Sequence, residues 1–269
     1  MCCPFLAGAI LMAPQRGAAR GYDLYGSIAV VEAAPGAAQA MARRLMLENR
    51  NVKTVLRKGG AVSGRYRTRK FVYVAGRRST LAEYRENNCV FRFDVAKVFF
   101  STRLAFERKR VSELVRDGEH VVVMFAGVGP YAIEIAKRDR KGSVIAMELN
   151  AAACRYMEEN ARLNKVGNVL VERGDAGRLA LGHKGVADRI VMPLPASSRR
   201  FLGSALAMCG RRCIVHYYAF CRRDGISEMM GGVKKAVEAG GRRFGLAGWR
   251  IVRPYSATDV EVVLDIIVH

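Results

Sequence analysis

The chain is poor in the residues that build metal centres and cross-linked secreted scaffolds. It has four histidines and one tryptophan in 269 residues, and no histidine cluster has ligand spacing. The seven cysteines, Cys2, Cys3, Cys89, Cys154, Cys209, Cys213 and Cys221, are odd in number and irregular in spacing, unlike a disulfide framework. Cys209 and Cys213 stand at a helix-like spacing, but no second pair completes a zinc site. We expect a reducing cytoplasmic setting, no metal, and thiols that behave as small hydrophobes. Long apolar runs are also lacking. Residues 1–14, MCCPFLAGAILMAP, are too short to span a bilayer and lack a basic start, so we expect no membrane partner. Acidic residues are in deficit: 24 Asp and Glu face 45 Lys and Arg, a formal charge of +21. No Lys/Arg block is long enough to be a disordered tail, so the charge is expected on folded faces. That balance favours a nucleic acid over an anionic membrane or a generally basic proteome. No internal repeat is visible, and a monomer is expected.

What the chain does have is centred on residues 121–150, VVVMFAGVGPYAIEIAKRDRKGSVIAMELN. Val121 to Phe125 are apolar without alternation, as in a parallel strand buried on both faces. Gly127 and Gly129 let backbone approach a ligand without a Cβ in the way, and Pro130 suits the first turn of a helix. A second apolar run ends in Glu148, roughly 20 residues on, where a carboxylate accepts from ribose hydroxyls. The loop is Gly-x-Gly-Pro, without a third glycine or a Gly-Lys-Ser/Thr. This argues against dinucleotides and nucleoside triphosphates and for S-adenosylmethionine, which has no phosphate to cradle. The competing reading is a glycine turn that merely joins strand to helix.

Around this centre the pattern gives an α/β chain. Residues 27–32 and 52–57 read as strands and 36–49 as a helix. The basic run Ser63-Gly64-Arg65-Tyr66-Arg67-Thr68-Arg69-Lys70 reads as a strand whose arginines project to one face, for phosphate or base contacts or as a charged edge. Further strands are expected at 71–74, 90–98, 169–172, 187–192 and 213–220, and helices at 105–115, 151–163, 197–207 and 229–240. Residues 249–252 and 260–268 read as a closing hairpin. Asp175, after the third strand of the second half, is placed for an adenine amine or is a turn aspartate. Pro193-Leu194-Pro195 lies at the strand edge where open α/β sheets bind ligands. Three parts are expected: a tail at 1–20, a small α+β unit at 21–104 and a Rossmann-like unit at 105–269.

Five segments carry a resemblance: SGRYRTR at Ser63, NNCVFRFDVAKVFFSTRLAFERKRV at Asn87, MFAGVGPY at Met124, GDA at Gly174 and VHYY at Val215. On these the chain resembles the archaeal and eukaryotic tRNA (guanine-37-N1)-methyltransferases, which share a catalytic domain with wybutosine-synthesising aminocarboxypropyl transferases. The resemblance implies a class I S-adenosylmethionine-dependent methyltransferase fold preceded by a small tRNA-contacting domain. It also implies that a tRNA-elbow-binding domain of longer archaeal members is missing. By matching positions it assigns Arg67 to the target guanine and Glu107 to the general base. Arg103 is assigned to the methyl donor, and Phe125, Ala126, Gly127, Gly129, Glu148, Asp175 and Ala176 to the same cofactor. Arg65, Arg69 and Pro193 are expected at the tRNA.

The chemistry fits this assignment. Guanine N1 carries a proton that a carboxylate in reach can take, and a guanidinium can hold the charge that builds on the carbonyl oxygen. Without the family context, Glu107 is simply an acid in a helix's first turn. Two positions depart from the family. An acid usual before the MFAG segment is here Val123, and the usual Asn-Leu-Pro is here Pro193-Leu194-Pro195. Two alternatives therefore stand beside methyl transfer: aminocarboxypropyl transfer to a wybutosine precursor, and a tRNA-binding relative without chemistry.

Overall fold

The computed structural model describes residues 21–61, 64 and 66–269. The expected tail, and Ser63 and Arg65 of the basic run, lie outside the described residues. The first unit is a four-stranded sheet of β1 (Tyr22–Tyr25), β2 (Ile28–Val31), β3 (Thr54–Lys58) and β4 (Phe71–Gly76), in that order. Helix α1 (Pro35–Glu48) crosses over between β2 and β3, which run parallel. Its Ala38, Ala42 and Leu45 fall at helical spacing and pack on Ala29, Val31 and Val55, which is how a short parallel pair is covered. The described part of the basic run is not a strand. Gly64 and Arg67 both have left-handed backbone, at φ 71° and 52°, and β4 begins only at Phe71. Where the run is described, a turn stands in place of the expected strand.

A ribbon of β5 (Leu81–Glu86) and β6 (Cys89–Asp94) follows. Its two-residue turn, Asn87-Asn88, has φ of 46° and 61°, the left-handed pair that suits the twist of a hairpin. The outer edge of β6 is closed by helix α4 (Ala151–Leu163). Arg92 N–H donates to Asn160 Oδ1 at 2.7 Å and Val90 N–H to Asn164 Oδ1 at 2.9 Å, while Asn164 Nδ2 donates to the Val90 carbonyl at 2.7 Å. Side-chain amides here complete a strand edge that would otherwise bury unpaired backbone. The ribbon is thus hydrogen-bonded to the second unit across the expected boundary between residues 104 and 105.

That unit contains α2 (Ala105–Glu113), β7 (His120–Met124), α3 (Pro130–Arg138), β8 (Ser143–Glu148), α4, β9 (Val169–Arg173), α5 (Ala176–Leu179), β10 (Ala187–Met192), α6 (Ser198–Met208), β11 (Cys209–Arg222), α7 (Ile226–Ala239), β12 (Phe244–Pro254) and β13 (Asp259–Val268). Its sheet order is β12-β13-β11-β10-β7-β8-β9, with β11 to β9 parallel and the β12–β13 hairpin antiparallel. Val121 and Val123 point into the core under α2, α3 and α4, and Val122 and Met124 into the core under α6 and α7, so the strand is buried on both faces as its composition requires. The chain leaves β7 toward β8 and returns to β10 on the other side. This reversal opens a crevice at the C-terminal ends of β7 and β10, where ligands bind in such sheets.

Candidate active site

At the end of β7 three residues in succession or near it take left-handed backbone: Phe125 (φ 56°), Gly127 (60°) and Gly129 (88°). The Ala126 N–H donates to the Met147 carbonyl at 2.9 Å and ties the bend to β8. Glu148, at the tip of β8, accepts from Gly127 N–H at 2.8 Å and from Asn150 N–H at 2.7 Å, one bond to each oxygen. Each oxygen keeps lone-pair capacity for a diol. The two glycines do different jobs. A Cβ on Gly127 would meet only the Phe99 carbonyl oxygen at 3.8 Å, whereas one on Gly129 would lie 2.6 Å from Met157 Cγ. Gly127 is the open approach; Gly129 is a packing requirement of α4, which the sequence reading did not separate. Asp175 caps α5, accepting from Gly177 and Arg178 N–H at 3.0 and 3.3 Å. Phe125 packs edge-on to Phe201, with ring centroids 4.8 Å apart, and Ala176 is buried in the core. Among the described residues no cluster of histidine, cysteine, aspartate or glutamate is arranged to hold a metal, and no helix is long and apolar enough to cross a membrane.

Next to the bend lies a cavity of about 440 Å³ between the first sheet, the ribbon and the final hairpin. Lys58, Arg67, Arg69, Arg103 and Arg253 line it with one carboxylate, Asp23. Arg67 lies over the Phe99 ring, 4.8 Å from its centroid. Phe99 is the partition: its ring faces the cavity while its carbonyl faces Gly127. The structure therefore brings Arg67, Arg69 and Arg103 together. Arg103 donates to Asp23 Oδ1 at 2.8 Å, which draws its guanidinium toward β1. Burial lowers the Arg67 pKa, Glu261 and Tyr255 oppose that, and Arg253 adds to it. Pro193 follows β10 in a half-buried loop, with the Ser198 hydroxyl set between the Met192 and Leu194 carbonyls at 3.2 and 2.9 Å.

Glu107 does not line this cavity. It is 2% exposed and its carboxylate already takes three donors. Arg110 Nη2 and Nε reach Oε1 and Oε2 at 2.7 and 3.0 Å, and the Tyr218 hydroxyl reaches Oε1 at 2.7 Å. Arg110 also pairs with Asp265 at 2.7 and 3.2 Å. Beyond it, His216 contacts Asp265 Oδ1 at 2.6 Å through Nδ1 and Arg189 Nη1 at 2.8 Å through Nε2. An arginine can only donate, so Nε2 is the acceptor and Nδ1 carries the proton. Burial lowers the His216 pKa, which keeps the ring neutral. Burial also pushes Asp265 up, but His216 and Arg110 outweigh it and hold the carboxyl well below its usual range. Two carboxylates thus share one guanidinium, with Arg189 balanced by Glu119 at 2.6 Å. The cluster carries one surplus negative charge.

Residues 82–241 match the model of the TRM5/TYW2 methyltransferase domain. The chain belongs to this family. The match opens inside the β5–β6 ribbon. The chain is 36% identical over 248 residues to the tRNA (guanine(37)-N(1))-methyltransferase Trm5b of Pyrococcus abyssi, covering 91% of this chain and 73% of that one. The crystal structure of that Trm5b superposes with a TM-score of 0.83, covering 92% and 74% of the two chains. The complex structure of aTrm5 and tRNALeu gives a TM-score of 0.80 at 26% identity, covering 92% and 72%. The tRNA(Phe) (4-demethylwyosine(37)-C(7)) aminocarboxypropyltransferase of Methanocaldococcus jannaschii is 33% identical over 175 residues, covering 65% of this chain and 69% of that one. The family resemblance read from the five motifs is therefore what the comparisons find, and the Rossmann-like methyltransferase fold with it.

Sequence reasoning missed Arg253, Tyr255 and Glu261 of the β12–β13 hairpin, although it placed the hairpin. It also missed Arg110, whose spacing of three from Glu107 on a helix was a readable pairing signal.

Proposed function

We propose that this protein transfers the methyl group of S-adenosylmethionine to N1 of guanosine 37 in the anticodon loop of tRNA. The observation that carries the reading is one partition, Phe99, with the Gly127–Glu148 bend on one side and a cation-lined cavity on the other. The residues of the bend fit the donor: Gly127 leaves backbone open and Glu148 retains acceptors for a ribose diol. When bound, the donor supplies a sulfonium methyl carbon that the N1 lone pair attacks while the C–S bonding pair passes to sulfur. Arg67 holds the guanine carbonyl oxygen as charge builds there. The base must be out of its stack to enter the cavity.

In this reading the N1 proton goes to Glu107, which does not line the cavity in the free protein, so its carboxylate must be uncovered as substrate enters. This requires Arg110 to swing from its shared position fully onto Asp265, to which it already makes two bonds. The surplus negative charge of the cluster favours that step, because one arriving proton cancels it. Catalytic pairs that are closed in a free enzyme commonly rearrange when substrate enters. Pro193 supplies no side-chain hydrogen bond to the base, so recognition rests on Arg67 and on positioning. The acting unit in this reading is a cytoplasmic monomer that needs no metal, checked by light scattering and by activity after chelation.

The test is incubation with methyl-labelled donor and an unmodified tRNA transcript, followed by mapping of the labelled nucleotide. One methyl at guanosine 37 and release of S-adenosylhomocysteine are expected. Release of methylthioadenosine would instead establish aminocarboxypropyl transfer. Tight tRNA binding with no label transferred would establish a binding protein without chemistry.

A further inference from the structure

The cavity holds more positive charge than a neutral purine can answer. Of its five cations, Arg103 pairs with Asp23 at 2.8 Å, and Lys58 pairs with Glu32 at 2.7 Å and lies 3.5 Å from Asp23. Arg67 and Arg69 make no ion pair with a carboxylate among the described residues. Arg253 has an arrangement of its own. Its Nε donates to Glu261 Oε2 at 2.6 Å, and its two Nη groups make no hydrogen bond among the described residues. Glu261 is 2% exposed and stands opposite Arg253 in the β12–β13 register, near the C-terminal end of β11 through its pairing with Phe220. The Arg253 side chain is 25% exposed and lines the cavity with Arg67, and Tyr255 beside it stacks on Phe220 at 4.1 Å. A buried carboxylate thus grips the guanidinium from behind and leaves a free two-pronged donor in front, the geometry that takes two oxygens of a phosphate.

We infer that Arg253, oriented by Glu261, contacts the substrate and binds a backbone phosphodiester of the nucleotide whose base lies against Arg67. The inference rests on the proposed tRNA substrate. Arg253 is then a binding residue, and Glu261 is a positioning residue that acts through it. The two guanidinium groups repel each other in the free protein, and an incoming phosphate relieves that repulsion.

The test is filter binding of an unmodified tRNA transcript to the full chain over a salt series, with S-adenosylhomocysteine affinity measured in parallel. Arg253→Gln is expected to weaken tRNA binding about tenfold and to flatten the slope of log Kd against log salt by about one. Arg253→Lys keeps the slope and loses part of the affinity. Glu261→Gln separates positioning from bulk charge. Removing a negative charge beside a polyanion site would tighten binding if only net charge mattered, whereas a loosened Arg253 weakens it. Unchanged affinity and slope in Arg253→Gln, or tighter binding in Glu261→Gln, would overturn the inference. If Glu261→Gln fails to fold, the two Arg253 variants still decide. Because binding is read without chemistry, a wild-type protein that binds tRNA but transfers nothing would count against the proposed reaction and not against this site.

Discussion

Replacing Glu134 by glutamine should stabilise the protein, and the gain should grow with pH. Glu134 on α3 and Glu86 on β5 are both buried beside one arginine, Arg108. Glu86 takes the guanidinium bidentately at 2.5 and 2.6 Å, and Glu134 Oε1 is left 3.8 Å from Arg108 Nε with no partner to accept from. Burial, and then the charge of Glu86, push the Glu134 pKa up to about 9. The carboxyl is therefore neutral near pH 7. The unfolded chain releases that proton near the ordinary value of 4.5. The folded pKa is the raised one, so this group's contribution is fully present below about 4.5 and is lost as pH rises toward about 9. At pH 7.5 the cost of holding the proton is about three pH units, on the order of 4 kcal/mol. Glutamine cannot ionise, still accepts from Asn87 Nδ2 as Glu134 Oε2 does at 2.9 Å, and can donate toward Glu86. Urea titrations from pH 5 to 9 should show the variant and the parent close at pH 5. By pH 7.5 they should differ by a few kcal/mol, about 7 °C in Tm for a chain of this length. A gap that stays flat across that range would mean that native Glu134 is ionised, and would refute the argument.

Glu107→Gln should lower single-turnover methyl transfer to tRNA by about 10² to 10⁴ while calorimetry shows S-adenosylhomocysteine still bound. Equal loss of both would point to a structural role for the buried cluster. Arg67→Gln should lower kcat by about 10² to 10³ with a saturating transcript; an effect confined to KM would place it away from the developing charge. Gly127→Ala should lose about 1 kcal/mol of stability for its left-handed backbone yet at least tenfold in donor affinity by calorimetry. Gly129→Ala should lose about 3 kcal/mol in thermal or urea melts, from the 2.6 Å approach to Met157 and a φ of 88°, with donor affinity per folded molecule kept.

The sheet that carries the donor bend was legible because its strands are short apolar runs closed by punctuation. Val121 to Met124 and the Gly-x-Gly-Pro loop fall where the structure has a parallel strand and a bend, and Glu148 falls at the tip of β8. The β5 strand was not legible, since Leu81–Glu86 alternates weakly and carries three charges in six residues. What makes it a strand is the Asn87-Asn88 turn that follows it and the amides of Asn160 and Asn164 that hold β6, and those amides lie far from it in sequence. The basic run was misread for the converse reason. Alternating arginines look like a strand face, but Gly64 and the left-handed Arg67 lie in a turn.

The site was less legible than the fold because each of its parts is defined by a partner from elsewhere in the chain. A carboxylate's chemistry depends on which donors already occupy it, and for Glu107 these are Arg110, three residues away, and Tyr218, 111 residues away. Arg110 in turn is set by Asp265, 155 residues on. Motif spacing can place Glu107 at the start of a helix but cannot say that the helix lays it on a tyrosine of β11. The cavity repeats the point. Its cations come from β3, the turn before β4, the segment before α2 and the last hairpin, so no window of sequence contains it. Arg253 and Glu261 face each other only because the strands turn back between Pro254 and Asp259, a register that no local pattern in either segment states. The residues that a polyanion meets are thus fixed by strand register and loop closure, and a net charge of +21 states only that such a partner is wanted.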